Sequence, residues 1–461
     1  MIRKPFRLLI AFVFLLSQNV LAEDQFLETC LRFAQARDKK LSVALDQIKL
    51  SQIRVVRSAR NFLPQLSLER KYEKGQTLTD AFQEEELGIR GTQTIYEGGK
   101  VKANYQYDSM MLDSARFNYT KTREELFYRV KSAYYDFMTS KMEYDRLRKA
   151  FSEIDALCTR VQLEYKAKSI SEVDMVEAIN FRDKVENMTK SAELSYSLNT
   201  RILVEACCVD ALDQIPAVMP ESLPEDVPEI SYVLDECVNF VKINNVDIKI
   251  SKLQIQMADT KRKITQTKAV PKIYLEGFYG QSGEAYVTQP LELATSWNIT
   301  GKLQWTFWGN TIEVSEDEDR SLASDILDVG TRIDSSGYNM KMGIFDDLTY
   351  FVDSNESKVG IRQAEASLDD TYKKITQELE KSYNEYRNSL YNARTLKDEI
   401  KLKERKLAIL RKKNQLYEAQ TLQLMEETLK YAQTITEYAK ALATNYTSVS
   451  NMERFTIMPL R

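Results

Sequence analysis

Side chains that could carry out catalysis are scarce in this chain of 461 residues, which contains no histidine. Histidine is the commonest general base and metal ligand, so its absence excludes Ser-His-Asp triads and most zinc sites. The adjacent carboxylates Glu426 and Glu427 could in principle act as an acid–base pair, as in glycosidases. Because the sequence shows no pocket-forming domain around them, an enzyme is the weakest interpretation. We predict no catalytic residue, no metal site and no cofactor.

The five cysteines also give no sign of a metal or redox site, because none has the C-x-x-C spacing. Their odd number argues against a complete disulfide framework, although one or two disulfides remain open in an exported protein. We expect small buried thiols at these positions. The five are Cys30, Cys158, Cys207, Cys208 and Cys237.

The N-terminal segment 1–22 has the pattern of a secretory signal peptide. Arg3 and Arg7 lie in a basic start, Leu8–Leu16 form an apolar core, and Val20–Ala22 form a cleavage site. The apolar core is shorter than the roughly 20 residues that span a bilayer. We therefore expect cleavage and export. The full chain has 64 basic and 68 acidic residues, and this mildly acidic balance argues against nucleic-acid binding.

Long helices are predicted for most of the chain. Only 14 glycines and 9 prolines are present, and 29% of the residues are charged. Between Lys100 and Tyr165 there is neither glycine nor proline, which permits a helix of roughly 100 Å. A heptad of apolar residues runs through this segment and again through the later one that begins near Leu379, which predicts supercoiled helix pairs.

An internal repeat organises these helices. Residues 26–73 align without gaps on residues 233–280, at a constant offset of 207, and the alignment resumes later at an offset of 249. Pro64 and Pro271 each end a helical segment and open an extended one. The offsets differ by 42 residues, which predicts an insertion in the second copy at about 310–355. This acidic insertion follows the last predicted strand, at the junction with the next long helix, so we expect it near that end of the strands, and its role stays open.

The repeat divides the chain into four parts. These are a signal peptide (1–22), a first repeat (23–208), a Pro-rich linker (209–229) and a second repeat with the insertion (230–461). Each repeat reads as helix, strand, turn, strand, very long helix, turn and long helix.

The strands are short but regular. Apolar and polar residues alternate without exception from Trp297 to Phe307, at the length that crosses a bilayer as a tilted strand. A half-buried strand of a soluble protein would show the same alternation. The matching segment Leu87–Tyr96 is weaker, because Arg90 and Gly91 interrupt it. The tryptophans near the ends of the regular segment are candidates for a membrane girdle: Trp297, Trp305 and Trp308.

Five segments give the chain its resemblance to a known family. Leu63–Leu68 resembles a helix-to-strand entry, Gln93–Gly99 a strand-to-helix turn, and Ala133–Asp136 a long-helix motif. Ser171–Ala178 and Tyr417–Leu429 resemble the two returning helical hairpins. Together, in this order and repeated, they make the sequence similar to the TolC-type outer-membrane efflux family over nearly all of the mature chain.

The resemblance implies a mainly α fold with a small β part: a TolC-like duct of long coiled-coil helices. Each protomer of a homotrimer would give four strands to a 12-stranded outer-membrane β-barrel, with the helical barrel in the periplasm of a Gram-negative-type cell. Substrates would pass through unchanged. The implied partners are outer-membrane lipid, a periplasmic adaptor (membrane fusion) protein and an inner-membrane transporter, in a tripartite efflux or type I secretion system.

The resemblance also implies a periplasmic aperture at the tips of the helical hairpins. The matching positions, with an adjacent acid, are Tyr165, Asp174, Tyr417, Glu426 and Glu427. A threefold ring of carboxylates would form a negative constriction that attracts cations.

The chain departs from the family pattern at four other positions near the hairpin tips. The hairpin glycines of the family are Lys168 and Gln420 here, its aperture arginine is Leu422, and a further aperture acid is Leu429. We therefore expect the gate to be held differently from that of the family, or to close less tightly.

A periplasmic coiled-coil adaptor or structural protein that forms no pore is the alternative to a channel. It would be a soluble protein, and it leaves the alternation from Trp297 to Phe307 and the turn at Gly98-Gly99 unexplained. The cargo stays open, since a drug, a metal ion, a polysaccharide or a secreted protein is each compatible with the sequence.

Overall fold

The structure is a computed structural model. The residues it describes are 25–76, 81–216, 220, 223, 229–286, 290–325, 328–415 and 421–457. The predicted signal peptide, much of the predicted linker and Tyr417 lie outside these residues.

The described chain consists mainly of helices, with one group of antiparallel strands. The helices are α1 (Gln25–Arg37), α2 (Lys39–Arg60), α3 (Lys100–Lys166), α4 (Glu172–Ala206), α5 (Leu234–Asn244), α6 (Val246–Gln266), α7 (Thr349–Gln415) and α8 (Thr421–Thr456). The strands are β1 (Gln65–Gln76), β2 (Ala81–Glu97), β3 (Lys272–Tyr286), β4 (Ala294–Phe307), β5 (Asn310–Asp325) and β6 (Asp328–Gly343).

The helices of the two halves match in order and length. The pairs contain 13 and 11, 22 and 21, 67 and 67, and 35 and 36 residues. Each half also breaks its first helical segment at one polar residue, Asp38 in the first and Asn245 in the second. The Asp38 carboxylate accepts a hydrogen bond from the Leu41 amide at 2.8 Å and so caps α2. These correspondences support the repeat, although the bounds of its parts remain predictions.

One compact unit combines residues up to Val43 with residues 119–246 and those from 372 onward. Its core is built from α1, α3, α4 and α8, with aromatic contacts such as the stacked rings of Tyr135 and Tyr446, 5.0 Å apart. Most heptad positions of α3 and α7 are buried, as their period requires; Phe137 and Leu379 are completely covered.

The second unit, residues 44–118 and 247–371, contains the sheet. Its six strands follow one another in sequence order, and each pairs antiparallel with the next. The prediction of four strands is therefore wrong in number. β4 turns through Trp308 and Gly309, both at positive φ, directly into β5, which pairs along β4 from Phe307 and Asn310 onward.

The predicted insertion at about 310–355 forms β5, β6 and the start of α7. It adds two strands to the sheet, beginning directly after β4. Its acidic residues are accommodated by cross-strand partners, as in the bidentate pair in which Arg320 contacts both carboxylate oxygens of Asp334 at 2.5 and 2.8 Å. The acidic composition of the insertion therefore reflects strands that share a sheet instead of building a core of their own.

β2 continues through Arg90 and Gly91, the two residues expected to weaken it. The Arg90 guanidinium donates to Glu69 on β1 at 2.7 Å and lies 5.3 Å from the ring centre of Phe278 on β3. Cross-strand partners on both sides thus hold a charged residue in the middle of the sheet.

The cysteines are thiols, and four of the five are buried, as predicted. Burial raises the pKa of the Cys158 and Cys237 thiols above the ordinary value, which disfavours the reactive thiolate. Within the described ranges, no helix combines the length and the apolarity needed to cross a bilayer.

Candidate functional site

The first helical hairpin turns through a tight C-terminal motif. The Ser169 amide donates to the Glu164 carbonyl at 2.9 Å and the Lys168 amide to the Tyr165 carbonyl at 2.8 Å. Lys168 has a φ of 58°, the left-handed conformation that glycine usually supplies at this position. The hairpin of the family pattern is therefore kept although its glycine is absent, and Tyr165 lies half-buried in the last turn of α3.

Asp174 begins the returning helix as part of a capping box. Its amide donates to the Ser171 hydroxyl oxygen at 3.1 Å, while its carboxylate accepts from the Ser171 amide at 3.3 Å and hydroxyl at 2.8 Å. The side chain is exposed. The carboxylate is thus fixed in place at the tip and faces solvent, which suits a group in an aperture.

An open cavity of about 650 Å³ lies between the tips of the two hairpins. Asp174 and Leu422 both line it, so residues from the two predicted tip sets meet there. Asn414 joins the hairpins: its carbonyl oxygen accepts from Arg160 at 3.2 Å and its amide donates to Thr421 at 3.1 Å. This buried asparagine therefore couples α3, α7 and α8.

Glu426 and Glu427 have different environments. Glu427 is buried and accepts from Lys406 at 2.9 Å and Lys430 at 3.3 Å, whereas Glu426 is half-exposed and lies 3.6 Å from Lys430. Burial alone would raise the pKa of the Glu427 carboxyl, but the hydrogen bonds from Lys406 and Lys430 outweigh burial and hold that pKa below its ordinary value. Glu427 thus ties α8 to α7, and Glu426 has the freer carboxylate.

The two leucines that replace aperture residues of the family are placed differently. Leu422 lines the cavity, while Leu429 is 6% exposed and belongs to a buried cluster with Ile154 and Val185. Leu429 accordingly acts in packing, which explains how an acid could be lost there without leaving a gap.

A second candidate site is one face of the sheet, which we call the apolar face. Residues that share it are set by the register, in which Trp297 lies opposite Tyr279 and Tyr279 opposite Ile89. Thirteen of its large apolar side chains are between 39% and 79% exposed. They are Leu66, Leu68, Leu87, Ile89, Ile273, Leu275, Tyr279, Ile299, Leu303, Trp305, Tyr338, Met340 and Met342.

The opposite, polar face carries charges in cross-strand pairs. Lys71 contacts Glu84 at 3.2 Å, and Lys302 contacts Glu276 at 2.9 Å. The polar face suits water, and the apolar face suits an apolar solvent where its large side chains cluster, although on β5 it also carries Glu318 opposite Ile299 and Arg320 opposite Trp297.

The three predicted girdle tryptophans lie on or beside β4. Trp297 is half-buried with Arg320 above its ring at 5.9 Å, and the Trp305 indole donates to the Ala269 carbonyl at 3.1 Å. Trp308 is 83% exposed in the turn that follows. Indole groups with one polar contact and one exposed ring are typical of an interface.

Sequence reasoning identified the apolar face on β4 alone. Shorter alternating signals were present on the other strands, in Leu66 and Leu68 of β1, Ile273 and Leu275 of β3, and Met340 and Met342 of β6. Each has only two apolar positions, too few to separate a strand from an irregular segment.

Several solved structures are similar to the chain over almost its whole length. The CmeC outer membrane channel of Campylobacter jejuni has a TM-score of 0.74 at 11% identity, covering 94% of this chain and 86% of that one. The outer membrane protein VceC of Vibrio cholerae has a TM-score of 0.73 at 12% identity, covering 95% and 97%. The open state of the Neisseria gonorrhoeae MtrE outer membrane channel has a TM-score of 0.65 at 14% identity, covering 94% and 89%.

No protein-family model and no curated protein matches the sequence. At such low identity the similarity shows the fold. It confirms the prediction of a mainly α, TolC-like fold with a small β part.

Proposed function

We propose that this protein is the exit duct of an export system in the outer membrane of a Gram-negative-type cell. The sheet would lie in the membrane and the long helices in the periplasm. The observation that carries the proposal is the apolar face, whose exposed side chains lie on β1, β2, β3, β4 and β6 and which continues on β5 through Ile312 and Val314. An apolar surface of this extent is stable only when covered, and a polar opposite face fits a water-filled lumen.

The assembly would be a homotrimer that conducts its substrates passively, without catalysis. The similar structures are described as outer membrane channels, and a symmetric trimer would surround a lumen with the polar faces of its sheets. Energy would come from an inner-membrane transporter, coupled through a periplasmic adaptor at the hairpin tips. The cavity between the tips, lined by Asp174 and Leu422, is the surface we assign to adaptor contact or gating.

The aperture would be formed by Tyr165, Asp174 and Glu426, with Tyr417 on the second hairpin. Asp174 is held by its capping box and Glu426 is half-exposed, so both can present charge to a passage. Glu427 would position Glu426 by tying α8 to α7. Drug, metal ion, polysaccharide and secreted protein remain alternative cargoes.

Substitution of two residues of β4 on opposite faces tests the membrane location. Leu303→Lys places a charge on the apolar face, opposite Ile273 and Val314, and Thr300→Lys places the same charge beside Glu276 and Asp317 on the polar face. A charge facing lipid costs about 2–4 kcal/mol at the bilayer midplane. We expect Leu303→Lys to deplete the protein from outer-membrane fractions and Thr300→Lys to leave it there, as a detergent-extractable trimer.

Equal behaviour of the two variants, with the parent recovered as a soluble monomer, would refute the proposal and favour the soluble adaptor. The solvent exposure of Leu303 makes this outcome interpretable, because a soluble protein would tolerate lysine at a 39% exposed position.

The aperture is tested in planar bilayers. Asp174→Ala combined with Glu426→Ala should raise the single-channel conductance, because the negative constriction is removed. Ser171→Ala is the control, since it removes the hydroxyl of the cap and keeps the Asp174 charge. An unchanged conductance in the double variant would exclude both carboxylates from the aperture.

A further inference from the structure

We infer that β6 of one copy pairs with β1 of a second copy, so that the β5–β6 hairpin is part of the closed membrane sheet. This inference rests on the proposed function, because it takes the apolar face to be in contact with lipid. It goes beyond the four-stranded contribution that the family resemblance implies, and it assigns a partner to each free edge of the sheet.

Both edges of the sheet need a partner. Among the residues that the structure describes, β1 and β6 each have a neighbouring strand on one side only. Apolar side chains continue to both edges, with Leu66 and Leu68 on β1 and Met340 and Met342 on β6. Backbone amide and carbonyl groups exposed to hydrocarbon each cost several kcal/mol, so strands in a membrane do not leave an open edge.

The hairpin continues the sheet both in its backbone and in its apolar face. Ile312 lies opposite Trp305 and Met342, and Val314 lies opposite Leu303 and Met340. The apolar rows of β4 nearest its turn, at Leu303 and Trp305, are thus extended onto β5 and β6, whereas toward the far end of the strand Ile299 lies opposite Glu318 and Trp297 opposite Arg320. A hairpin that lay outside the membrane sheet would have no need of this match.

The direction of the strands permits closure. Because every strand is antiparallel to its neighbour in a sheet of six, β6 runs opposite to β1. Pairing between copies would therefore repeat the antiparallel pattern found within each copy. A sheet with an odd number of strands would instead have to close with a parallel pair.

The register of this pairing between copies follows if the two strands end level with each other. Gln65 at the start of β1 then lies opposite Gly343 at the end of β6. Leu66 then lies opposite Met342 and Leu68 opposite Met340, which keeps the apolar residues together. No pair of like charges is opposed in this register: Ser67 faces Lys341, Glu69 faces Asn339, and Lys74 faces Asp334.

The same register gives a plausible tilt. Following the pairs across one chain from Leu66 leads through Gly91, Gly277, Ile299 and Glu318 to Ser336. Pairing with Met342 displaces the next copy by six residues over the six strands, or one residue per strand. An equal shear and strand number corresponds to a tilt of about 36°, within the roughly 35–45° of outer-membrane strands.

Three copies joined in this way would close a ring of eighteen strands. The number is even, as in bacterial outer-membrane proteins of one chain. Rings of about 16–18 strands enclose an aqueous channel, whereas about eight are filled by side chains. The extra hairpin therefore widens the membrane passage relative to twelve strands.

Cysteine cross-linking in outer membranes tests the pairing. Directly opposed residues of antiparallel strands have Cα atoms about 4.5–5.5 Å apart, within disulfide range. After mild oxidation, the double variant Leu68→Cys/Met340→Cys should convert the monomer band to covalent dimers and trimers on non-reducing gels. The parent with its native cysteines and the two single variants are the controls.

A second pair reports a ring closed without the hairpin. Leu68→Cys/Leu303→Cys would cross-link if β1 of one copy paired with β4 of another, which would overturn the inference while a membrane trimer stood. Absence of cross-links from both pairs in a protein that floats with outer membranes would also overturn it. Recovery as a soluble periplasmic protein would instead refute the proposed function.

Discussion

The two strand-to-helix junctions of the molecule share a backbone conformation and lead to different structures. Gly98 and Gly99 have φ values of 58° and 82°, and Trp308 and Gly309 have values of 51° and 80°. The first pair is followed at once by α3, whereas the second is followed by β5. The same left-handed turn can thus begin a helix or close a two-residue hairpin.

The comparison shows that the added hairpin leaves the length of the following helix unchanged. α3 and α7 both contain 67 residues. At the end of the hairpin, the Asp347 amide donates to the Gly309 carbonyl at 3.3 Å and the Phe345 amide to the Asn310 side chain at 3.0 Å. The chain therefore returns to the place it left, and α7 begins as α3 does.

The largest effect should come from making the second junction resemble the first. Deletion of residues 310–343 removes β5 and β6, and β4 becomes the edge strand. Because ring diameter grows roughly linearly with strand number, we expect a membrane trimer whose strand ring has about two-thirds of the parent diameter by electron cryomicroscopy. An unchanged diameter would show that the hairpin lies outside the ring.

A smaller effect should separate the second glycines of the two turns. A Cβ on Gly309 would lie 2.7 Å from the Leu348 Cδ2, whereas a Cβ on Gly99 would meet nothing within 4 Å. The left-handed backbone costs alanine about 1–2 kcal/mol at either site. We expect Gly309→Ala to lower the unfolding temperature in detergent clearly more than Gly99→Ala. Equal losses would mean that Leu348 moves aside freely.

At the hairpin tips, the neighbouring residues Glu426 and Glu427 allow a second comparison, between a half-exposed and a buried carboxylate. Glu427→Gln removes ion pairs with Lys406 and Lys430 and should cost about 1–3 kcal/mol at pH 7. Glu426→Gln, at a half-exposed position, is the matched control and should cost less.

The loss at Glu427 should depend on pH in a defined direction. The pKa of Glu427 is lower in the folded protein, so its stabilisation is present above the ordinary carboxyl pKa and is lost as the pH falls through the folded value. The gap in unfolding temperature between the parent and Glu427→Gln should therefore narrow in acid. A gap that widens in acid would contradict this assignment.

The smallest effect concerns the first residues of the two turns. Trp308 takes a left-handed conformation that glycine occupies at Gly98, and a bulky residue is strained there. Trp308→Gly should raise the stability in detergent by about 1 kcal/mol. Gly98→Ala should lower it, because its Cβ would lie 3.1 Å from the Val270 Cβ. A loss of stability in Trp308→Gly would show that the exposed indole has a stabilising contact.

Much of the fold follows from local sequence. The absence of glycine and proline between Lys100 and Tyr165 predicted a helix that extends from Lys100 to Lys166. The alternation from Trp297 to Phe307 predicted a strand that begins at Ala294. Both signals are long, so periodicity alone determined the type of element. The tip residues followed from the resemblance, and Asp174 lies on the cavity between the tips.

The remaining features depend on partners that are distant in sequence. Arg90 is stable within β2 because Glu69 and Phe278 flank it. The acidic run of β5 forms a strand because β4 and β6 offer complete backbone pairing. Similarly, the burial of Glu427 depends on Lys406, a residue of another helix. No local pattern at these positions announces the partner.

The meeting of the hairpin ends at Gly309 and Asp347 has a consequence for how such ducts can diversify. A single added strand would bring the chain to the opposite end of the strands, where α7 could not begin beside the end of β4. An added pair of strands returns the chain to the end from which it started. It also preserves the alternation of strand directions around the proposed ring. In the proposed ring, the diameter would therefore change only in steps of two strands per copy, so pore calibre would evolve by increments and not continuously.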